Sequence, residues 1–282
     1  DIGWSGINLL FFNLGLPFYT INCIAALVFL LGIHFNANLY QNYWLFFLIL
    51  LPYFIFIIGM GYTRQSISIG LALISFAIMI QRHDLRSLLI FILLISIGVL
   101  FHKSVIIFLI FPFLIMKFNI QRLSFIILFS YLFLVFSLFT LIDENFFRRI
   151  LFFFESSYSS FGAYIRTIVL FLVAIFILFL TNQLELDENK KKSNKFLSIF
   201  LIIISLLIII SPSTVIVDRL LLYFHILYAS SILTIYGYSK NNLNKNLIIY
   251  ITIIIGLVFL FTWFNFADNA FSWLPYRNYL FE

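Results

Sequence analysis

The chain has 282 residues, of which 63% are hydrophobic and only 10% are charged. A soluble globular domain is about half apolar and about a quarter charged, so this composition excludes one, and so much apolar side chain also excludes a disordered protein. The net charge is +6, but the basic residues are scattered between apolar segments, so we expect no nucleic-acid partner. The single cysteine, Cys23, excludes an internal disulfide framework and a thiolate metal site.

Ten apolar segments follow one another along the chain, separated by short polar stretches. A membrane-spanning helix needs about 20 apolar residues, and these segments lack the alternation of outer-membrane barrel strands. We therefore predict an all-α, polytopic bundle of about ten transmembrane helices that forms one integral membrane domain over residues 1–282. We also expect a further segment upstream of Asp1. The predicted spans are 15–33, 43–60, 63–81, 87–101, 104–117, 123–142, 164–181, 196–211, 217–236 and 247–264.

The basic residues predict the orientation of these spans in the bilayer. The stretch 181–195 contains four lysines and is the strongest candidate for a cytoplasmic loop. Successive loops lie on alternating sides of the membrane, so this assignment fixes the side of every other loop. The cytoplasmic loops then hold ten basic and four acidic residues, whereas the external loops hold seven of each. Segments 87–101 and 104–117 are short. Reading them as one long helix would move the lysines outside, so the charge distribution favours two short helices that meet near His102.

Four ionisable residues on the predicted external side lie at the ends or breaks of spans: Arg64, His102, Arg166 and Arg219. Such groups cost several kcal/mol at membrane depth unless they are paired or hydrated, although a single arginine can instead extend to the interface. Together they favour a shared anion-binding cavity. Guanidinium groups suit phosphate or diphosphate, and the flanking spans offer a lipid-accessible groove, so a lipid diphosphate fits best. His102 could act as a general base or orient a substrate.

Asp218 and Arg219 are adjacent and do not face each other on a helix, so we expect Asp218 to pair with a base from another span. Arg148 and Arg149 lie in the longest external loop, where a helix at the lipid interface is favoured over direct catalysis. No phosphate-binding loop, His-Glu-x-x-His motif or Cys/His metal spacing occurs, so no metal or cofactor is predicted. The candidate substrate-binding residues are Gln65, Lys103, Ser104, Arg148, Arg149, Arg166, Tyr223, Tyr276 and Arg277.

Four short motifs occur in order over nearly the whole chain. They are Asp1-Ile-Gly-Trp4, Tyr62-Thr-Arg64-Gln65-Ser66-Ile67-Ser68, Phe101-His102-Lys103-Ser104, and Arg219 followed by Tyr223, with a Pro275-Tyr276 pair near the end. In this order the motifs resemble the EpsG family of polysaccharide polymerases, which is related to the Wzy-type polymerases. The chain departs from the family pattern at Ser68, where alanine is usual.

The resemblance implies a polymerase in the bacterial cytoplasmic membrane, similar in outline to the GT-C class of glycosyltransferases and active at the extracytoplasmic face. Donor and acceptor would be oligosaccharide repeat units on undecaprenyl diphosphate, used to build O-antigen, capsule or exopolysaccharide. A chain-length regulator is a candidate partner. Arg64 and Arg219 would clamp the diphosphate, His102 would activate or orient the acceptor hydroxyl, and Asp218 is the second candidate base.

Two other classes of function remain open. A lipid-oligosaccharide flippase or other transporter would need a polar path through the membrane, whereas the span centres here are almost free of charge. A membrane acyltransferase that modifies glycans should place a catalytic histidine near a carboxylate.

Overall fold

The computed structural model describes residues 1–40, 42–59, 61–82, 84–110, 161–211, 213–267 and 270. Within these ranges every regular element is helical, in agreement with the all-α prediction. The elements are α1 (Ile2–Asn13), α2 (Phe18–Ala37), α3 (Tyr43–Leu50), a π-helical stretch (Leu51–Gly59), α4 (Thr63–Arg82), α5 (Leu85–Phe101), a 3-10 stretch (Lys103–Ile110), α6 (Phe161–Gln183), α7 (Glu188–Ile210), α8 (Thr214–Tyr223), α9 (His225–Tyr238) and α10 (Asn242–Phe266).

Five helices in the described ranges are long and apolar enough to cross a membrane, or six if a bent pair counts as one span. The bent pair, Val217–Tyr223 and Tyr228–Tyr238, is broken by 45°. Helices Tyr43–Gly59 and Leu85–Phe101 are apolar but shorter. The predicted segment 123–142 and the second half of 104–117 lie outside the described residues, so a count of ten spans stays a prediction. The five long helices are Phe18–Ala37, Thr63–Arg82, Gly162–Gln183, Lys190–Ile210 and Asn242–Phe266.

The structure corrects the sequence-based boundaries in two places. Helix α1 lies before the first predicted segment, and a turn with Gly15 at φ 67° and Pro17 separates it from α2. The four lysines at 190–195, which the sequence places in a loop, are helical in the structure: α7 begins at Glu188. An acidic residue in the first turn favours a helix start there, and lysine is a good helix former.

The described residues group into two compact units. The first contains Asp1–Phe47 together with the chain from Phe54 onward as far as the 3-10 stretch, and the second contains Leu48–Tyr53 and α6–α10. The expectation of a single integral membrane domain stays a prediction.

Helices α2 and α4 of the first unit pack closely because glycines face each other. A methyl group on Gly32 would lie 2.6 Å from the Gly70 carbonyl oxygen, and one on Gly70 would lie 2.6 Å from the Val28 carbonyl oxygen. The buried Asn36 amide donates to the carbonyls of Gly32 (2.8 Å) and Leu73 (2.7 Å). Small residues and interhelical hydrogen bonds are the usual means by which helices associate in lipid.

The second unit places a proline against a glycine in the same way. Pro52 lies in the helical stretch after α3, and a methyl group on Gly256 of α10 would be 2.6 Å from its ring. Nearby, the buried Tyr228 hydroxyl donates to the Ile49 carbonyl oxygen at 3.3 Å. Both contacts fix the segment Leu48–Tyr53, and with it the Tyr53 side chain, against the helices of the second unit.

Candidate functional site

Arg64 and His102 lie at the same end of the first unit. Arg64 is in the first turn of α4, and His102 is the residue that ends α5. One helical turn inward, the Ser68 hydroxyl donates to the Gly98 carbonyl oxygen at 2.8 Å and joins the two helices. The Ser68 hydroxyl also donates to the carbonyl oxygen of Arg64, one turn earlier, at 3.3 Å. The His102 backbone N–H donates to the same Gly98 carbonyl oxygen at 2.9 Å.

Helix α1 brings the opening motif to this same end. The Cβ position of Gly3 is 3.0 Å from the Cβ of Leu100, so the first turn of α1 presses on the last turn of α5. The guanidinium carbon of Arg64 lies 6.0 Å from the centre of the Trp4 ring, and its Nη1 atom is 3.7 Å from Oδ2 of Asp1. We call the group Asp1, Trp4, Arg64 and His102 the motif cluster. Three of the four sequence motifs therefore lie at the same end of the first unit.

The exposure of the predicted residues differs within this end of the unit. The Arg64 side chain is 57% exposed, which is compatible with contact to a substrate. Gln65 is buried, whereas His102, Lys103 and Ser104 are half-buried. Of the predicted residues at this end, Arg64 is thus the most accessible and Gln65 the least.

The second unit contains a buried ion pair. Arg166 of α6 donates from Nε and Nη2 to the two carboxylate oxygens of Asp218 on α8, at 2.8 and 2.7 Å. The two side chains are only 7% and 17% exposed. This confirms the expectation that Asp218 pairs with a base from another span. It also occupies both carboxylate oxygens, which favours a role in holding Arg166.

Aromatic rings enclose this ion pair. The Arg166 guanidinium carbon lies 5.6 Å from the centre of the Tyr53 ring, within cation–π range. The Tyr53 ring in turn stacks on His225 (5.1 Å) and contacts Phe259 (5.2 Å). A methyl group on Gly162 would be 2.9 Å from Nη1 of Arg166, so glycine leaves room for the guanidinium. Asp218 and Tyr53 therefore hold Arg166 directly, and His225 and Phe259 hold the Tyr53 ring in turn.

Arg219 differs from its neighbour. Its side chain is exposed, whereas Tyr223, one turn later, is completely buried. Within the ranges the structure describes, Arg219 has no ion-pair partner, whereas Arg166 and Asp218 satisfy each other. Arg219 is thus the more accessible cationic group on this side of the second unit.

The opposite end of the second unit carries a hydrogen-bonded polar network. The Tyr238 hydroxyl donates to Asp187 at 2.7 Å, Lys190 contacts both of them, and Lys240 pairs with Glu185 at 3.2 Å. From Arg166 to the last residue of α6, Gln183, the helix rises about 26 Å at 1.5 Å per residue. Within this unit, the lysine-rich end and the Arg166–Asp218 pair therefore lie at opposite ends, as the charge distribution predicts.

Sequence reasoning did not identify Asp1, Trp4, Tyr53 or His225 as site residues. The opening motif was a usable signal for Asp1 and Trp4, but no sequence pattern marks Tyr53 or His225. Whether Arg64, His102, Arg166 and Arg219 share one cavity stays a prediction. The candidates Arg148, Arg149, Tyr276 and Arg277 lie outside the described residues.

Comparison with known proteins gives one match. The model of the EpsG family matches residues 1–278, which is nearly the whole chain. No curated protein and no solved structure matches.

Proposed function

The chain belongs to the EpsG family, a Wzy-like polymerase family, and from this membership we propose that it polymerises oligosaccharide repeat units carried on undecaprenyl diphosphate. The proposed reaction takes place at the extracytoplasmic face of the bacterial cytoplasmic membrane and builds an O-antigen, capsule or exopolysaccharide. The family match over residues 1–278 carries the proposal. The motif cluster supports it, because residues up to 101 positions apart in sequence lie at one end of the first unit.

The proposed chemistry is glycosyl transfer: the growing glycan leaves its lipid diphosphate and is joined to a single repeat unit carried on a second lipid diphosphate. A hydroxyl oxygen of the acceptor attacks the anomeric carbon of the donor glycan, the bond from that carbon to the lipid diphosphate breaks, and the hydroxyl proton passes to a base. We propose His102 as the residue that accepts this proton or orients the hydroxyl, since it is half-buried and an imidazole can both accept and donate a proton.

Arg219 is the group that we propose for the leaving diphosphate, because it is exposed and without a carboxylate partner in the described ranges. A guanidinium group can donate two parallel hydrogen bonds to phosphate oxygens and stabilise the charge that develops as the lipid diphosphate leaves. Arg166, buried and paired with Asp218, helps to position α8, the helix that carries Arg219. Arg64, which the sequence also assigns to the diphosphate, has the Asp1 carboxylate beside it.

Glycan length in a deletion strain tests this proposal. The wild-type chain should restore long polymers on a gel, whereas His102→Ala and Arg219→Ala should reduce polymerisation by about 10²–10³-fold, the usual effect of losing one transition-state contact. Arg86→Ala, at an exposed position in the first turn of α5, is a matched control that should keep full length. Full-length polymer from Arg219→Ala at normal protein level would contradict its role.

The deletion phenotype also separates the other classes of function. Glycans of a single repeat unit support a polymerase. Loss of all surface glycan would instead indicate a flippase, and unaltered length with lost acyl groups would indicate an acyltransferase.

A further inference from the structure

The side chains of Asp1, Trp4 and Arg64 offer three different kinds of contact in one place. Trp4 supplies an aromatic face, Arg64 supplies guanidinium donors, and Asp1 supplies carboxylate acceptors. The Arg64–Asp1 distance of 3.7 Å is longer than a hydrogen bond, so neither group saturates the other. Both retain hydrogen-bonding capacity for a ligand, the Arg64 side chain at 57% exposure and the Asp1 side chain at 16%.

This combination matches a hydroxyl-bearing ring better than a phosphate. A hydroxyl group both donates and accepts, so neighbouring hydroxyls can accept from Arg64 and donate to Asp1 at once. A diphosphate offers only acceptors and is negatively charged, and the Asp1 carboxylate would repel it. The Asp1 carboxylate therefore makes Arg64 a poorer site for a diphosphate than Arg219.

Trp4 is placed to contact the apolar face of such a ring. Its indole is half-buried, with the Phe18 ring against it at 6.4 Å in an edge-on arrangement. The Arg64 guanidinium lies 6.0 Å from the ring centre, beyond the roughly 3.5–4.0 Å of direct stacking contact. The guanidinium therefore lies over the indole at the outer limit of cation–π range but not in van der Waals contact with it.

The position in the unit connects these three residues to the proposed chemistry. Gly3 presses α1 on Leu100, two residues before His102. A ring held by Trp4 and Arg64 would therefore lie at the same end of the unit as the proposed base.

We propose that Asp1, Trp4 and Arg64 form a carbohydrate-binding subsite that holds a sugar ring of the lipid-linked substrate, with Trp4 as the stacking surface. The inference rests on the proposed polymerase function and adds to it a specificity-determining aromatic residue. It assigns Arg64 to the glycan and leaves the diphosphate to Arg219.

The test is a kinetic assay of full-length wild-type and variant chains in membranes. The substrate is the lipid-linked single repeat extracted from the deletion strain, and the competitor is undecaprenyl diphosphate without a glycan. We expect Trp4→Ala to raise KM for the repeat unit by roughly 3- to 10-fold, the size of an aromatic contact, with little change in kcat. The inhibition constant of the bare lipid diphosphate should not change, and Trp4→Phe should recover most of the affinity.

Trp44→Ala is the matched control, because Trp44 is 80% exposed at the start of α3 and belongs to no proposed site. It should behave as wild type. The subsite is overturned if Trp4→Ala leaves KM unchanged, if it acts only by lowering the protein level, or if it weakens the bare lipid diphosphate equally. Failure of the wild-type chain to polymerise would instead contradict the proposed function, so the two failures are distinguishable.

Discussion

At the scale of single residues, the bidentate pair between Arg166 and Asp218 is the shortest and most buried ion pair in the described part of the second unit. Two charge-assisted hydrogen bonds of 2.8 and 2.7 Å form at low exposure. Each partner thereby makes the burial of the other tolerable, since an unpaired charge in this environment is strongly destabilising. The pair is therefore expected to contribute through position, whereas the exposed Arg219 beside it is the residue proposed to contact the substrate.

Single and double substitutions separate these two roles. Asp218→Asn or Arg166→Gln should each lower the free energy of unfolding by about 3–5 kcal/mol, because each leaves one buried charge without its partner. The double variant should be more stable than either single variant. Thermal unfolding in detergent measures this.

Arg219→Gln is the matched control for this experiment. It should leave stability within about 0.5 kcal/mol of wild type, as exposed substitutions usually do, while lowering polymerisation. If the double variant is as unstable as the sum of the two single variants, the pair does not act as a unit.

The residues of the candidate site were predictable from the sequence to different degrees. Arg64, His102, Arg166 and Arg219 stand out because a charge or an ionisable ring in an apolar chain is costly and therefore conspicuous. Tyr53 does not stand out, since tyrosine is common here and its importance comes from a contact with Arg166, 113 positions later in the chain. Contacts of that kind depend on tertiary packing, which local patterns do not encode.

At the scale of elements, close backbone approach holds α2 against α4. Gly70→Ala places a methyl group 2.6 Å from the Val28 carbonyl oxygen, and backbone atoms cannot move aside as a flexible side chain could. We expect this substitution to lower the free energy of unfolding by roughly 1–3 kcal/mol, as overpacking does. The measurement is the thermal midpoint in detergent.

Gly6→Ala is the matched control for this glycine contact, because a methyl group on Gly6 of α1 meets nothing within 4 Å. It should be neutral or stabilise by up to about 1 kcal/mol, since alanine is the better helix former. Equal effects of the two substitutions would mean that the glycine contact does not hold α2 and α4 together.

The start of α5 gives a prediction with a defined pH dependence. Asp84 caps this helix, and the Ser87 backbone N–H donates to its carboxylate at 2.7 Å, which holds the Asp84 pKa below its ordinary value of 3.8. Because the folded-state pKa is the lower one, the stabilisation is complete above pH 3.8 and is lost as the pH falls through the folded-state value. The gap in melting temperature between wild type and Asp84→Ala should therefore narrow below about pH 4. A gap that stays constant down to pH 2 would contradict this linkage.

Helix type was easier to predict than helix length. Apolar runs separated by polar residues were sufficient for α4 and α6, because the hydrocarbon thickness sets a similar length for each. The sequence predicts a span that starts at residue 196, whereas α7 starts at Glu188. Lysine is as good a helix former as most apolar residues, so hydropathy marks where the bilayer begins and not where the helix begins. The break after α5 was predicted, since His102, Lys103 and Ser104 interrupt an otherwise apolar run.

At the scale of the whole molecule, charge distribution and fold agree within each unit. In the first unit, Arg64 and Arg82 lie at opposite ends of α4, about 27 Å apart at 1.5 Å per residue. In the second, Arg166 and the lysine-rich start of α7 lie at opposite ends. Each distance is close to the roughly 30 Å of hydrocarbon in a bilayer. The charge rule predicts which end of each unit faces the cytoplasm.

Labelling of introduced cysteines tests whether Arg64 and Arg219 lie on the same side of the membrane, as they must if both contact one substrate. In a Cys23→Ser background, a membrane-impermeant maleimide added to intact cells should label Arg64→Cys and Arg219→Cys. It should label Arg82→Cys and Lys192→Cys only after permeabilisation, because the excess of basic residues remains on the cytoplasmic side. Labelling of Arg64→Cys and Arg219→Cys from opposite sides would mean that no single lipid-linked glycan can contact both arginines. The guanidinium proposed for the sugar and the one proposed for the diphosphate could then not serve one reaction, even if each unit folds as described.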